Sequence, residues 1–85
     1  MALTLSYFSW VRERMGIAGE AVTPPDTVAT VAELIAWLAA RDEAGARAFA
    51  EPARIRAAVS GGMAAPDATL PRDGEVALFP PVTGG

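Results

Sequence analysis

The sequence predicts an α+β domain: a sheet packed on one main helix, with an extended arm at its C-terminal end. Three features carry that expectation. Residues 3–8 alternate apolar and polar side chains, the period of a half-buried strand. Residues 30–38 join a helix-capping signal to an apolar stripe at helical spacing. The last apolar run, Val76-Ala77-Leu78-Phe79, leads into Pro80-Pro81-Val82-Thr83-Gly84-Gly85. There the two prolines fix φ and remove two N–H donors, so sheet pairing cannot continue.

In chain order, Leu3, Leu5 and Tyr7 face inward from the first strand, which leaves Phe8 on the opposite, exposed side. An exposed aromatic there is either a lone surface residue or part of a partner site. Trp10 to Met15 reads as a short helical turn, with Val11 and Met15 four apart on one face and Gly16 as its C-cap. Glu20 to Thr23 is a second strand, stopped by Pro24-Pro25. Thr30-Val31-Ala32-Glu33 is a capping box, and Val31, Leu34, Ile35 and Leu38 form the apolar stripe of the main helix, bordered by Trp37. Residues 41–51 are Ala-rich and charged with Gly45 among them, which suggests a weak helix or a loop ended by Pro52. Arg54 to Ser60 alternates as a third strand, with Ile55, Ala57 and Val59 inward and Arg54 and Arg56 outward. Gly61-Gly62 reads as a turn, Met63-Ala64-Ala65 as a brief fourth strand, and Asp73-Gly74 as a turn before the last strand.

Composition removes several functions. The 85 residues suffice for one domain with a modest core, and 52% hydrophobic with 20% charged content is that of a globular chain. No apolar run approaches a membrane span and no signal peptide is visible, so the expected setting is the cytoplasm, without membrane. The chain has no Cys and no His. That excludes disulfides, a thiol nucleophile, imidazole metal sites and the usual neutral-pH base. Alone, the chain is therefore not expected to be an enzyme. A net charge of −3 argues against nucleic acid as a partner. All seven basic residues are Arg, in keeping with an Ala- and Arg-rich composition. Glu33, Asp42 and Glu43 read as a solvated helix face, and Gly61-Gly62 lacks the spacing of a phosphate loop.

The tail is the segment whose chemistry stands out. Glycine lets backbone pass close to another surface, and six extended residues reach about 20 Å, enough to carry a carboxylate into a pocket on another protein. Residues 1–79 then form the domain and 80–85 its arm.

A strand pair, one capped helix and further strands before a Gly-Gly ending resemble the β-grasp (ubiquitin-like) fold, a mixed sheet on one main helix. The ending Asp73-Gly74-Glu75-Val76-Ala77-Leu78-Phe79-Pro80-Pro81-Val82-Thr83-Gly84-Gly85 resembles the C-terminus of the molybdopterin synthase small-subunit family. Tyr7-Phe8-Ser9-Trp10-Val11-Arg12-Glu13-Arg14-Met15-Gly16 is similar to that family's strand-to-helix segment, and the likeness runs essentially the full length. It implies a sulfur carrier. An adenylyltransferase of the ubiquitin-activating type would use ATP to adenylate the Gly85 carboxylate, and sulfur would then replace AMP as a thiocarboxylate. The tail would enter the large synthase subunit and donate sulfur to cyclic pyranopterin monophosphate for the molybdenum cofactor. No cofactor or metal would be held permanently. The resemblance places Gly84 and Gly85 at the reacting end and Pro80, Pro81, Val82 and Thr83 in the partner's channel. Phe8, Arg12, Met63 and Phe79 form the expected docking face, with core packing the plainer role for Met63 and Phe79. Two carriers on a large-subunit dimer would make a heterotetramer. Other roles for the same ending are a thiamine-type sulfur carrier, a protein modifier joined to target lysines, or a binding module with an inert tail.

Overall fold

A computed structural model describes residues 1–81. Five strands form one mixed sheet: β1 (Ala2–Tyr7), β2 (Gly19–Val22), β3 (Arg56–Val59), β4 (Gly62–Ala64) and β5 (Asp73–Phe79), in the order β2-β1-β5-β3-β4. β5 runs parallel to β1, and the other pairings are antiparallel. Three helices, α1 (Ser9–Met15), α2 (Val31–Arg41) and α3 (Glu43–Ala48), and a 3₁₀ turn at Pro52–Arg54 complete the domain. Among the described residues no helix is long and apolar enough to cross a membrane.

The core forms where the predicted periodicities meet. Leu3, Leu5 and Tyr7 of β1 and Val76 and Leu78 of β5 are buried together with Val31, Leu34, Ile35 and Leu38 of α2. The capping box is made as expected: Glu33 N–H donates to Thr30 Oγ1 (3.2 Å), and Thr30 N–H donates to Glu33 Oε1 (3.0 Å). Gly16 ends α1 in the left-handed region.

Four local readings are corrected. Residues 43–48 are a true helix with its own cap, Asp42 Oδ1 accepting from Gly45 N–H (2.8 Å), and Pro52 opens the 3₁₀ turn rather than ending that helix. A Cβ on Gly45 would lie 1.8 Å from the Leu38 carbonyl oxygen, so the residue that looked like a helix weakness is where α3 meets α2. The third strand starts at Arg56, because Arg54 belongs to the 3₁₀ turn, and Val59 is only half-buried. The hairpin turn is Ser60-Gly61, both at positive φ, and Gly62 already pairs with Val59. That two-residue geometry matches the twist of the flanking strands. Asp73-Gly74 is not a turn: both residues belong to β5, paired with Ala2 and Leu3. The Asp73 carboxylate accepts from the Ala2 N–H (3.0 Å), so the side chain expected to shape a turn tethers the start of β1 instead.

One polar cluster ties three elements together. Glu20 on β2 takes a bidentate pair from Arg41 at the end of α2, at 3.0 and 2.7 Å, and accepts from the Tyr7 hydroxyl of β1 at 2.7 Å. The Arg41 hydrogen bonds hold the Glu20 carboxyl below its usual range, while burial, aided by Glu20, pushes the Tyr7 hydroxyl far up. Arg41 Nε lies 3.3 Å from Asp42 Oδ2 but makes no aligned hydrogen bond, and the guanidinium lies over Trp37 at 5.5 Å.

Two stability predictions follow from these contacts. Glu20→Gln should lower unfolding free energy at neutral pH by about 1.5–3 kcal/mol, the range for hydrogen bonds to charged groups. Because the folded carboxyl is depressed, this stabilisation is complete above the ordinary carboxylate range and is lost as pH falls through the folded value. Urea titrations should therefore show the wild-type advantage shrinking below about pH 4, and a gap constant to lower pH would contradict the assignment. Gly45→Ala should destabilise by at least about 2 kcal/mol by overpacking against backbone, whereas an unchanged melting temperature would show that α2 and α3 can separate freely.

Candidate functional site: the docking face at the root of the tail

The last strand lies inside the sheet, hydrogen-bonded on both sides. β5 pairs with β1 from Ala2↔Asp73 to Tyr7↔Leu78 and with β3 from Arg56↔Phe79 to Val59↔Val76. The chain therefore leaves the sheet at Phe79 from a fixed place. Pro80 and Pro81 follow, both half-buried, while Val82, Thr83, Gly84 and Gly85 lie outside the described residues.

Strand alternation sets what surrounds that exit. Leu5, Tyr7, Ala57, Val76 and Leu78 point into the core, so Ser6, Ala58, Ala77 and Phe79 face away from the helices. Register joins them into a row: Ser6 beside Ala77, Ala77 beside Ala58, and Ala58 beside Met63. The row is flat because its centre is alanine, and Met63 projects from its edge at 71% exposure. Phe79 lies on the adjoining row, opposite Arg56.

Phe8 continues the alternation of β1 in extended conformation and is 51% exposed, with its N–H donating to the Leu78 carbonyl (3.2 Å). The next residue, Ser9, has φ 54° and turns the chain sharply into α1. An L-residue at positive φ is strained unless its surroundings fix it, so the bend holds Phe8 at the sheet's end. Arg12 stands one helical turn on, its N–H donating to the Phe8 carbonyl (3.3 Å). It lines a shallow depression of about 490 Å³ with Ser9, Glu13, Gly16 and the exposed Ile17.

Of the expected docking residues, Phe8 and Phe79 stand at the neighbouring ends of β1 and β5, and Arg12 follows Phe8 by one helical turn. Met63 is brought in across two strands, and its exposure rules out core packing. Phe79 is half-buried. Arg56, which the sequence reading placed outward, lies on this surface, as do Ala58, Ala77 and Ile17, which it did not single out. The β3 and β5 alternation marks the first three as outward, but their adjacency depends on register, which no single strand encodes.

A second concavity, of about 530 Å³, lies between α2 and the β3–β4 hairpin. Val31, Ile35, Ile55, Ala57 and Ala64 make its walls aliphatic, and Arg56 is the one titratable residue on its lining. It offers no acid, base or nucleophile for chemistry.

Comparison with known proteins agrees with this architecture. A model of the ThiS family matches residues 5–85. A Pyrococcus furiosus protein provisionally assigned as molybdopterin converting factor subunit 1 superposes with a TM-score of 0.76 at 26% identity, covering 96% of this chain and 99% of that one. The Haloferax volcanii small archaeal modifier protein 1 gives 0.70 at 25% identity, over 95% and 98% of the two chains. The HVO 2177 protein of the same organism gives 0.77 at 27% identity, over 100% and 87%. No curated protein matches the chain in sequence. With a β-grasp sheet, a tail rooted in its central strand and a family match from residue 5 to residue 85, the chain belongs to the ThiS family of small, ubiquitin-like sulfur carriers.

Proposed function

We propose that this protein is the sulfur-carrier subunit of a molybdopterin synthase. The observation that carries the reading is the exposure of Phe8 and Met63, with half-buried Phe79, on the sheet face beside the exit of the tail, on a fold shared with a protein provisionally assigned as molybdopterin converting factor subunit 1. A carboxylate is a poor electrophile. In this reading an adenylyltransferase joins AMP from ATP to the Gly85 carboxylate with release of pyrophosphate. Sulfur delivered at the sulfide level then displaces AMP and leaves a thiocarboxylate. With no Cys in the chain, the terminus is the position where this protein can carry transferable sulfur.

The chain's own residues supply delivery. β5 fixes the root of the tail, and Pro80 and Pro81 keep it extended and out of the sheet. Val82 and Thr83 present backbone to the walls of the large subunit's channel, and Gly84 and Gly85 add no side chain to obstruct it. Phe8, Phe79 and Met63 bind the large subunit's surface, with Arg12 at the rim, a composition common at interface hot spots. Two carriers on a dimeric large subunit give a heterotetramer. The likeness to a small archaeal modifier protein supports a second reading, in which Gly85 is joined to target lysines after the same activation.

In a synthase reconstituted from purified subunits, deleting Gly85 or adding one residue after it should abolish sulfur transfer while the melting temperature stays at the wild-type value; retained transfer would sink the carrier mechanism. Phe8→Ala should weaken large-subunit binding by about 1–3 kcal/mol in a calorimetric titration, and an unchanged affinity would remove Phe8 from the docking face.

A further inference from the structure

Sulfur delivery as proposed above leaves the concavity between α2 and the β3–β4 hairpin unused. Val31 and Ile35 of α2, with Ile55 and Ala57, form its buried floor. Ala53, Ala65 and two prolines, Pro52 and Pro66, make an exposed rim. Five alanines line it, and because each contributes a single methyl group, the space between helix and hairpin stays open. At about 530 Å³ it lies within the size range of small-molecule sites. Aliphatic walls of this extent are stabilised by an occupant that takes them out of water.

Polar groups here are few, and most are already engaged. Of the N–H groups that open α2, Val31 donates to the Ala68 carbonyl (3.1 Å), Ala32 to the Pro66 carbonyl (2.8 Å) and Glu33 to Thr30 Oγ1 (3.2 Å). Pro52 and Pro66 have no N–H to offer. Arg56 is different. Strand alternation starts it on the far side of the sheet, yet its Nη1 donates to the carbonyls of Ala53 (2.9 Å) and Ile55 (3.2 Å). The side chain therefore turns back around the start of β3 to the rim of the concavity. Those bonds use Nη1 alone, which leaves the edge formed by Nε and Nη2 open. Among the described residues no carboxylate lies within ion-pair distance of this guanidinium. Of the acids nearby in sequence, Glu51 pairs with Arg54 at 3.6 Å, and Asp67, beside Pro66, is exposed.

We propose that this concavity binds a small aliphatic carboxylate, its hydrocarbon chain on Val31, Ile35 and Ile55 and its head on the open edge of Arg56. The hydrocarbon suits walls that carry no polar side chain except Arg56. The head suits a guanidinium edge, whose two parallel N–H groups match the two oxygens of a carboxylate. A phosphate monoester fits less well, because it brings up to about two negative charges to one cation. A peptide fits less well, because the side chains of the walls offer its amides only Arg56. The sheet separates this site from the candidate docking face. Ala57 and Ala64 line the concavity, while their neighbours Ala58 and Met63 face the other side. Binding here requires neither the tail nor its activation.

The test titrates the full chain with sodium octanoate and follows amide chemical shifts, with hexanoate, decanoate and 1-octanol for comparison. Shifts should concentrate at Ala53, Ile55, Ala57 and Ala64. Affinity should rise about five- to tenfold with each added pair of methylenes until the space is full. Arg56→Gln should weaken octanoate at least about fivefold and octanol by less than about twofold. Ala64→Leu, which fills the space from the hairpin, should abolish the octanoate shifts without lowering the melting temperature. Ala32→Leu does the same from the helix should the first variant fail to fold. Absence of saturable shifts at these residues would overturn the site, as would shifts centred on Phe8 and Met63. Equal octanoate affinity for the wild type and Arg56→Gln would overturn the carboxylate assignment. Tighter binding of octyl phosphate, or of a blocked leucine-rich peptide, than of octanoate would overturn the choice of ligand.

Discussion

The parallel pairing of β1 with β5 is the constraint on which the rest of the molecule depends. It joins the two ends of the domain, from Ala2↔Asp73 to Tyr7↔Leu78, and places β5 in the sheet's interior with β3 on its other side. Parallel neighbours need a long crossover, and here the intervening chain supplies it, with α2 laid across the sheet. Leu3, Leu5, Tyr7, Val76 and Leu78 are buried along this pairing, so the strand that ends at the tail is also a main contributor to the core. The tail root is therefore anchored by the sheet and the core together. This pairing, with β3 on the other side, fixes the place from which the chain leaves the sheet.

The elements with strong local signals were legible in the sequence. The capping box at Thr30 and Glu33, the stripe from Val31 to Leu38, the C-cap at Gly16 and the exposed position of Phe8 all follow from local spacing, and the structure contains each. What failed depended on distant partners. Gly45 looks like a weak point in a helix because the Leu38 carbonyl that requires it is not its neighbour in any local pattern. Asp73-Gly74 carries a turn signal that β1 overrides by pairing with it. The hairpin moved by one residue because Ser60 takes a positive φ more often given to Asn or Gly. Phe49 and Leu70 are buried without any stripe to announce them. The candidate docking face was half legible: Phe8, Arg12, Met63 and Phe79 came from resemblance, whereas Ala58 and Ala77 become a surface only through register.

The polar groups divide by what they hold. Tyr7, Glu20 and Arg41 hydrogen-bond to one another and clamp β1, β2 and α2, and Asp42 and Thr30 cap helices. Arg14, Arg47, Arg54 and Arg56 stay exposed, and Arg56 lies opposite Phe79 at the end of the last strand.

The most direct measurement of the central claim is the intact mass of the protein after incubation with an adenylyltransferase, ATP and a sulfur source. The carrier account predicts a mass gain equal to replacing one oxygen by sulfur, lost when Gly85 is removed. An unchanged mass, or adducts linked to lysines of other proteins in its place, would contradict it.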